Sequence, residues 1–153
     1  MYQIDQSGKI ENTAKDTIIC LANGTWDAVK ISAKVKRKVQ EIFRRRGEPR
    51  KFVLLTFCAG LALLLKRNQK VGRVVIDKEY FGKEPVIRKL LDKMLVGLSD
   101  PVIEFGLVGK HSSAHLLGRE VALGRKKIKC EISVEDILSE IKRTEVERRQ
   151  KNA

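Results

Sequence analysis

The sequence predicts an α/β domain built on a mixed sheet, and three features predict it. The first thirty or so residues carry short strand-like runs separated by turn dipeptides. From Ser32 onward, helical stripes alternate with short apolar runs. One segment, Thr17-Ile18-Ile19-Cys20-Leu21-Ala22, is almost wholly apolar and β-branched, as suits a strand covered on both faces. An antiparallel meander followed by strand–helix crossovers gives a mixed sheet with helices on its faces.

The elements follow in order. Tyr2-Gln3-Ile4-Asp5 alternates apolar and polar residues and reads as a strand. Ser7-Gly8 is a turn signal, and Lys9-Ile10-Glu11 reads as the return strand of a hairpin. Thr17–Ala22 is the next strand, closed by the turn dipeptide Asn23-Gly24, and Trp26 to Ile31 continues the meander. Ser32 is a helix N-cap, Val35, Val39, Ile42 and Phe43 form a stripe, and Gly47 with Pro49 ends the helix. Phe52 to Leu65 is apolar except for Thr56; Phe52–Leu55 suits a strand or a helix start, and the run as a whole favours a central helix stopping near Asn68. Val71 to Ile76 is a strand delivering Asp77. Pro85 opens a helix striped by Ile87, Leu90, Leu91, Met94 and Leu98. Val102–Val108 is a strand, and Ser112 or Ser113 caps a helix ended by Gly124. Ile128–Ile132 suits an edge strand or an extended connection, and Ser133 with Asp136 resembles a capping box for a last helix.

With 153 residues the expectation is a single domain, residues 1–143, and a polar tail, 144–153. Three cysteines lie far apart with no CxxC spacing, which predicts reduced, inert thiols and argues against a zinc ribbon. The chain starts on a polar strand, so no secretory leader is expected. The Phe52–Leu65 run is shorter than the roughly 20 residues that span a bilayer. Together these features predict a cytoplasmic protein with no membrane segment.

Charge is the strongest compositional signal. Thirty-two Lys and Arg against 19 Asp and Glu give a formal charge of +13, and a pI near 9.9. That balance predicts a nucleic-acid partner, DNA or RNA. The predicted first helix is basic, with Lys34, Lys36, Arg37, Lys38, Arg44, Arg45 and Arg46, and Arg50 and Lys51 follow. These residues, with Lys110, are the expected phosphate contacts. A merely solvated helix face remains the alternative. Aromatic residues make up only 5%, which counts against a base-stacking platform. Gly109-Lys110-His111-Ser112-Ser113 suits phosphate binding at a helix N-terminus or a plain loop; it lacks the P-loop spacing.

Two strands far apart in sequence each deliver an acid: Asp5 in Tyr2-Gln3-Ile4-Asp5-Gln6-Ser7-Gly8, and Asp77 in Val74-Val75-Ile76-Asp77. This layout resembles the ribonuclease H-like superfamily, which includes Holliday junction resolvases, over about residues 1–124. The resemblance implies a meander of the first three strands, a fourth strand beside the first, and acids on those two neighbours. It also implies Mg²⁺, with Mn²⁺ as a substitute, and hydrolysis of phosphodiesters in structured or double-stranded nucleic acid. Paired Mg²⁺ ions about 3.5–4 Å apart generate a nucleophilic water and relieve charge on the leaving oxygen, which calls for several carboxylates. On that reading Asp5, Asp77 and Glu79 hold metal, and Asp5, Asp77 and His115 are catalytic. Glu11, Glu41, His111 and Glu120 are spare candidates. Asp5 equally suits a turn initiator, and Asp77 a strand-end acid paired with Lys78 or Arg73. A non-catalytic basic nucleic-acid-binding module is the alternative. A subunit docking through the Phe52–Leu65 run is a third, and a homodimer is left open.

Overall fold

The computed structural model describes the backbone of residues 1–98 and 100–151, and side chains of that set through residue 145. Among the described residues, six strands form one mixed sheet: β1 (Tyr2–Ser7), β2 (Thr17–Asn23), β3 (Thr25–Ile31), β4 (Arg73–Asp77), β5 (Val102–Gly106) and β6 (Cys130–Glu131). Their order is β5-β4-β1-β2-β3-β6. β1, β2 and β3 are an antiparallel meander. β4 pairs with β1, β5 with β4 and β6 with β3, all in parallel. Among the described residues five α-helices complete the fold, α1 (Ala33–Arg45), α2 (Phe52–Arg67), α3 (Glu84–Met94), α4 (Ser113–Ala122) and α5 (Val134–Lys151), with a short 3-10 helix (Pro49–Lys51) between α1 and α2.

The two faces of the sheet are covered unequally. Ile4, Ile19, Leu21, Val29, Ile31, Val74 and Ile76 point to one face. There they meet α2, with α1, α3 and α5 packed around it. α2 approaches closely because Gly60 lacks a side chain; a Cβ there would lie 2.6 Å from Ile19 Cδ1. The opposite face, with Ile18, Cys20 and Ala28, is covered among the described residues by α4, through Val121 and Leu117, and by Ile128 of the segment after it. β2 is buried on both faces up to Ala22, which is why its sequence does not alternate.

Local signals explain the helix starts. The Ser32 side chain accepts from Val35 N at 3.1 Å, and the Ser112 side chain accepts from His115 N at 3.1 Å. Ser133 and Asp136 exchange hydrogen bonds of 3.1 and 3.0 Å, a complete capping box. Gly24 and Gly47 adopt positive φ at the turns expected there.

The structure corrects three expectations. Lys9–Glu11 is not a return strand: those residues lie in the β1–β2 connection, and the longer β-branched run of β2 takes the place beside β1. The Phe52–Leu65 run is no docking surface, because α2 is buried against the sheet and its neighbouring helices. The segment expected as a polar tail from 144 is helical through Lys151; residues 152 and 153 lie outside the described residues. Among the described residues no helix is long and apolar enough to cross a membrane.

Candidate metal centre

The parallel pairing of β1 with β4 sets Ile4 beside Ile76. Both point into the α2-side core. Side chains alternate along a strand, so the next residues, Asp5 and Asp77, emerge together on the α4 face. Glu79 joins them through a tight turn in which its N–H donates to Asp77 O at 2.9 Å. Lys78 N, donating to Gly106 O at 3.0 Å, ties the same turn to β5. One carboxylate oxygen from each of Asp5, Asp77 and Glu79 lies within 4.8 Å of the other two.

Each aspartate is oriented. Val108 N donates to Asp77 Oδ1 at 2.7 Å. His115, in the first turn of α4, sits with Nδ1 2.8 Å from Asp5 Oδ2. An ionised carboxylate only accepts, so Nδ1 carries the hydrogen in that state. His115 therefore touches the cluster through Asp5 and stands outside the ligand set. Asp5 is 5% exposed. Burial pushes its carboxyl above the usual range; the His115 hydrogen bond opposes this and the Asp77 charge adds to it. Glu79 is pushed up to about 7, first by burial, then by its hydrogen bond to Asp77 and the charges of Asp77 and Asp5; the Lys9 charge acts in the other direction.

Among the described residues no Lys or Arg forms an ion pair with Asp5, Asp77 or Glu79. Other acids of this chain are paired: Glu140 with Lys66, Asp27 with Arg67, Glu104 with Arg73. Three hard oxygen donors at mutual reach, one holding its proton to about pH 7, are a donor set that fits a divalent cation such as Mg²⁺ or Mn²⁺.

The β1–β2 connection frames the site. Gly8 has φ +81°, and a Cβ there would lie 2.4 Å from Asp16 O. Gly8 O accepts from Gln6 Nε2 at 3.1 Å and Thr17 Oγ1 at 2.9 Å. Lys36 then holds the connection from below. Its Nζ donates to Asn12 O at 2.7 Å, Lys9 O at 3.2 Å and Thr17 Oγ1 at 3.0 Å. The ammonium is fully buried, and that burial lowers its pKa.

Lys36 is therefore not a phosphate contact; it is an internal strut. Lys34, Arg37, Lys38, Arg44, Arg45, Arg46, Arg50 and Lys51 are exposed. They belong to the α1 layer, however, and α1 packs on the face of the sheet opposite the acids. Lys110 alone of the ten expected contacts lies on the acid side, in the turn leading into α4. The spare candidates stay apart from the cluster. Glu11 accepts from Tyr80 Oη at 3.4 Å, Glu41 pairs with Arg45 at 3.2 Å and Glu120 with Arg125 at 3.5 Å. His111 precedes α4, so it does not share a helical line with His115.

No family model, no curated protein and no solved structure matches the chain.

Proposed function

We propose that the protein is a metal-dependent nuclease of the ribonuclease H-like type, acting on structured or double-stranded nucleic acid. The observation that carries this reading is the gathering of Asp5, Asp77 and Glu79 within 4.8 Å, on neighbouring strands of a chain with net charge +13. The antiparallel β1-β2-β3 meander with β4 beside β1 supports the fold assignment. Lys or Arg ion pairs with the cluster would have pointed to a structural role, and among the described residues there are none.

Asp5, Asp77 and Glu79 would hold the metal. A bound divalent ion supplies charge stabilisation at the phosphoryl oxygens and a more acidic bound water. The chain's own groups do the rest. Val108 N and His115 fix the two aspartates, so little reorganisation is needed when substrate arrives. His115 leaves Nε2 unused by Asp5, a ring nitrogen free to hydrogen-bond a water or a phosphate oxygen. Lys9 carries positive charge close enough to Glu79 to affect its ionisation, and so can meet a phosphate there.

The test is incubation with supercoiled plasmid, branched DNA duplexes and RNA–DNA hybrids across a Mg²⁺ and Mn²⁺ titration. Metal-dependent nicking or strand cleavage, absent in EDTA, is expected. Tight, salt-sensitive binding with no cleavage of any substrate would replace the nuclease with a non-catalytic binding module.

A further inference from the structure

The α4 face holds a second feature beside the acids. An open cavity of about 860 Å³ is lined by Ser7, Ile18 and Lys30 from the sheet and by residues of two flanking connections. Ser7, Ile18 and Lys30 form one row, since Ser7 pairs with Ile18 and Ile18 with Lys30. Ser7 is two residues beyond Asp5 on the same face, about 7 Å at the rise of a strand. The cavity thus begins next to the acid cluster and runs across β2 to β3.

Its walls are basic. Lys15 comes from the β1–β2 connection, and Lys126 and Lys127 from the segment after α4. Lys30, on the floor, is engaged by Asp16 at 3.4 Å and Glu131 at 3.3 Å. Lys126 lies over the Trp26 ring, 5.5 Å from its centroid. Lys15 and Lys127 are different: both are exposed, and among the described residues neither side chain has an ion-pair or hydrogen-bond partner. Unpaired ammoniums on these two connections leave positive charge along the cavity that an anion can meet. The cavity is open, so it suits a chain passing through better than an enclosed small molecule.

We infer that this groove, not the basic α1 layer, is the track for the nucleic-acid backbone leading to the acid cluster. Lys15 and Lys127 grip phosphates from the two sides. The inference rests on the nucleic-acid part of the proposed function but not on catalysis.

The test compares two charge-reversal pairs by fluorescence anisotropy in EDTA. The probes are labelled 20-base-pair DNA duplex and RNA–DNA hybrid. One variant combines Lys15→Glu with Lys127→Glu. The control combines Arg44→Glu with Arg45→Glu on the opposite face. Circular dichroism melting and the Mg²⁺-induced thermal shift report on fold and acid cluster in each. The groove pair is expected to lose about tenfold or more in affinity and to make the log–log salt slope shallower by about two, one unit per lost phosphate contact. Its Mg²⁺ shift should match wild type, and the α1 pair should bind within about twofold of wild type. A groove variant that binds like wild type overturns the inference. So does an α1 variant that alone loses affinity. So does a wild-type protein that binds neither probe, including one that binds anionic phosphatidylglycerol vesicles instead. Loss of binding in the groove pair, with no metal-dependent cleavage by wild type, supports the groove and removes only the nuclease.

Discussion

Replacing Glu79 by glutamine removes the one carboxylate that the cluster holds protonated to near neutrality. In the folded protein Glu79 titrates at about 7, against an ordinary 4.5. Between these values the native state keeps a proton that the unfolded chain has released. Stability must therefore fall as pH rises from about 4.5 to about 7, then level off. A shift of this size has an upper limit of about 3 kcal/mol. The site is open on one side, so solvent screening leaves roughly 1–2 kcal/mol. A glutamine at this position does not titrate and has no such dependence. In EDTA the melting temperature of Glu79→Gln, relative to wild type, should climb across that pH window by about 2–8 °C for a chain of this length. Mg²⁺ should then reverse the order. At a concentration about 100 times its dissociation constant, an ion stabilises the native state by about 2.7 kcal/mol. Wild type should gain most of this at pH 8, and the variant much less. Differential scanning calorimetry at pH 4.5, 6, 7 and 8, with EDTA or Mg²⁺, reads both effects. Parallel pH profiles with equal Mg²⁺ shifts would show that Glu79 is neither strained by its neighbours nor a ligand.

Asp5→Asn should lower plasmid nicking by about a thousandfold or more, while duplex binding in anisotropy stays equal or tightens as a negative charge is lost; undiminished nicking removes Asp5 from the chemistry. His115→Ala should weaken Mg²⁺ binding by about ten- to a hundredfold in isothermal titration, and His115→Asn, which keeps a donor near Asp5, should recover much of it. If Ala and Asn behave alike, His115 does not position Asp5. Lys36→Met should cost about 2–4 kcal/mol in urea unfolding, because it removes the three hydrogen bonds that the ammonium donates to Asn12 O, Lys9 O and Thr17 Oγ1. A loss below about 1 kcal/mol would mean the connection does not depend on that strut.

Much of the fold is legible in the sequence because local chemistry and tertiary placement agree. Ser32, Ser112 and the Ser133–Asp136 pair cap helices where their positions in the sequence say they should. The unbroken apolar run of β2 reads as a doubly covered strand and is one. Asp5 and Asp77 stand out because each follows an apolar residue near a strand end. Their juxtaposition, though, depends on a parallel register of two strands some seventy residues apart. Ser7-Gly8 looks like a two-residue hairpin turn, and so the return strand is expected too early. Gly8 O is instead satisfied by Gln6 and Thr17, and the chain makes a longer excursion before β2. Charge suggests that Lys36 is exposed, but its spacing says otherwise. It precedes Val39 by three residues and Phe43 by seven, on the buried stripe of α1. The groove lysines carry no sequence signal, since 15, 30, 126 and 127 come together only through the sheet and the segment after α4.

The distribution of charge sets Asp5, Asp77 and Glu79 apart from the other acids of the chain. Two ionised oxygens within 4.8 Å of each other repel by about 3 kcal/mol or more at an effective dielectric constant near 20. A chain with 32 cationic residues has ample means to cancel that repulsion, and it does so for Glu140, Asp27 and Glu104. At Asp5, Asp77 and Glu79 the described residues supply only a histidine and backbone donors, while unpaired lysines stand off along the neighbouring groove. An arginine inside the cluster would remove the strain and block a metal ion. On the proposed reading, acids left uncancelled, with positive charge displaced to where a phosphate chain would lie, make cation and polyanion each favour the binding of the other. That mutual dependence predicts that Mg²⁺ should bind more tightly in the presence of a duplex than alone. Linkage then requires the duplex to bind more tightly in Mg²⁺ than in EDTA, by the same factor, once the ionic strength is matched.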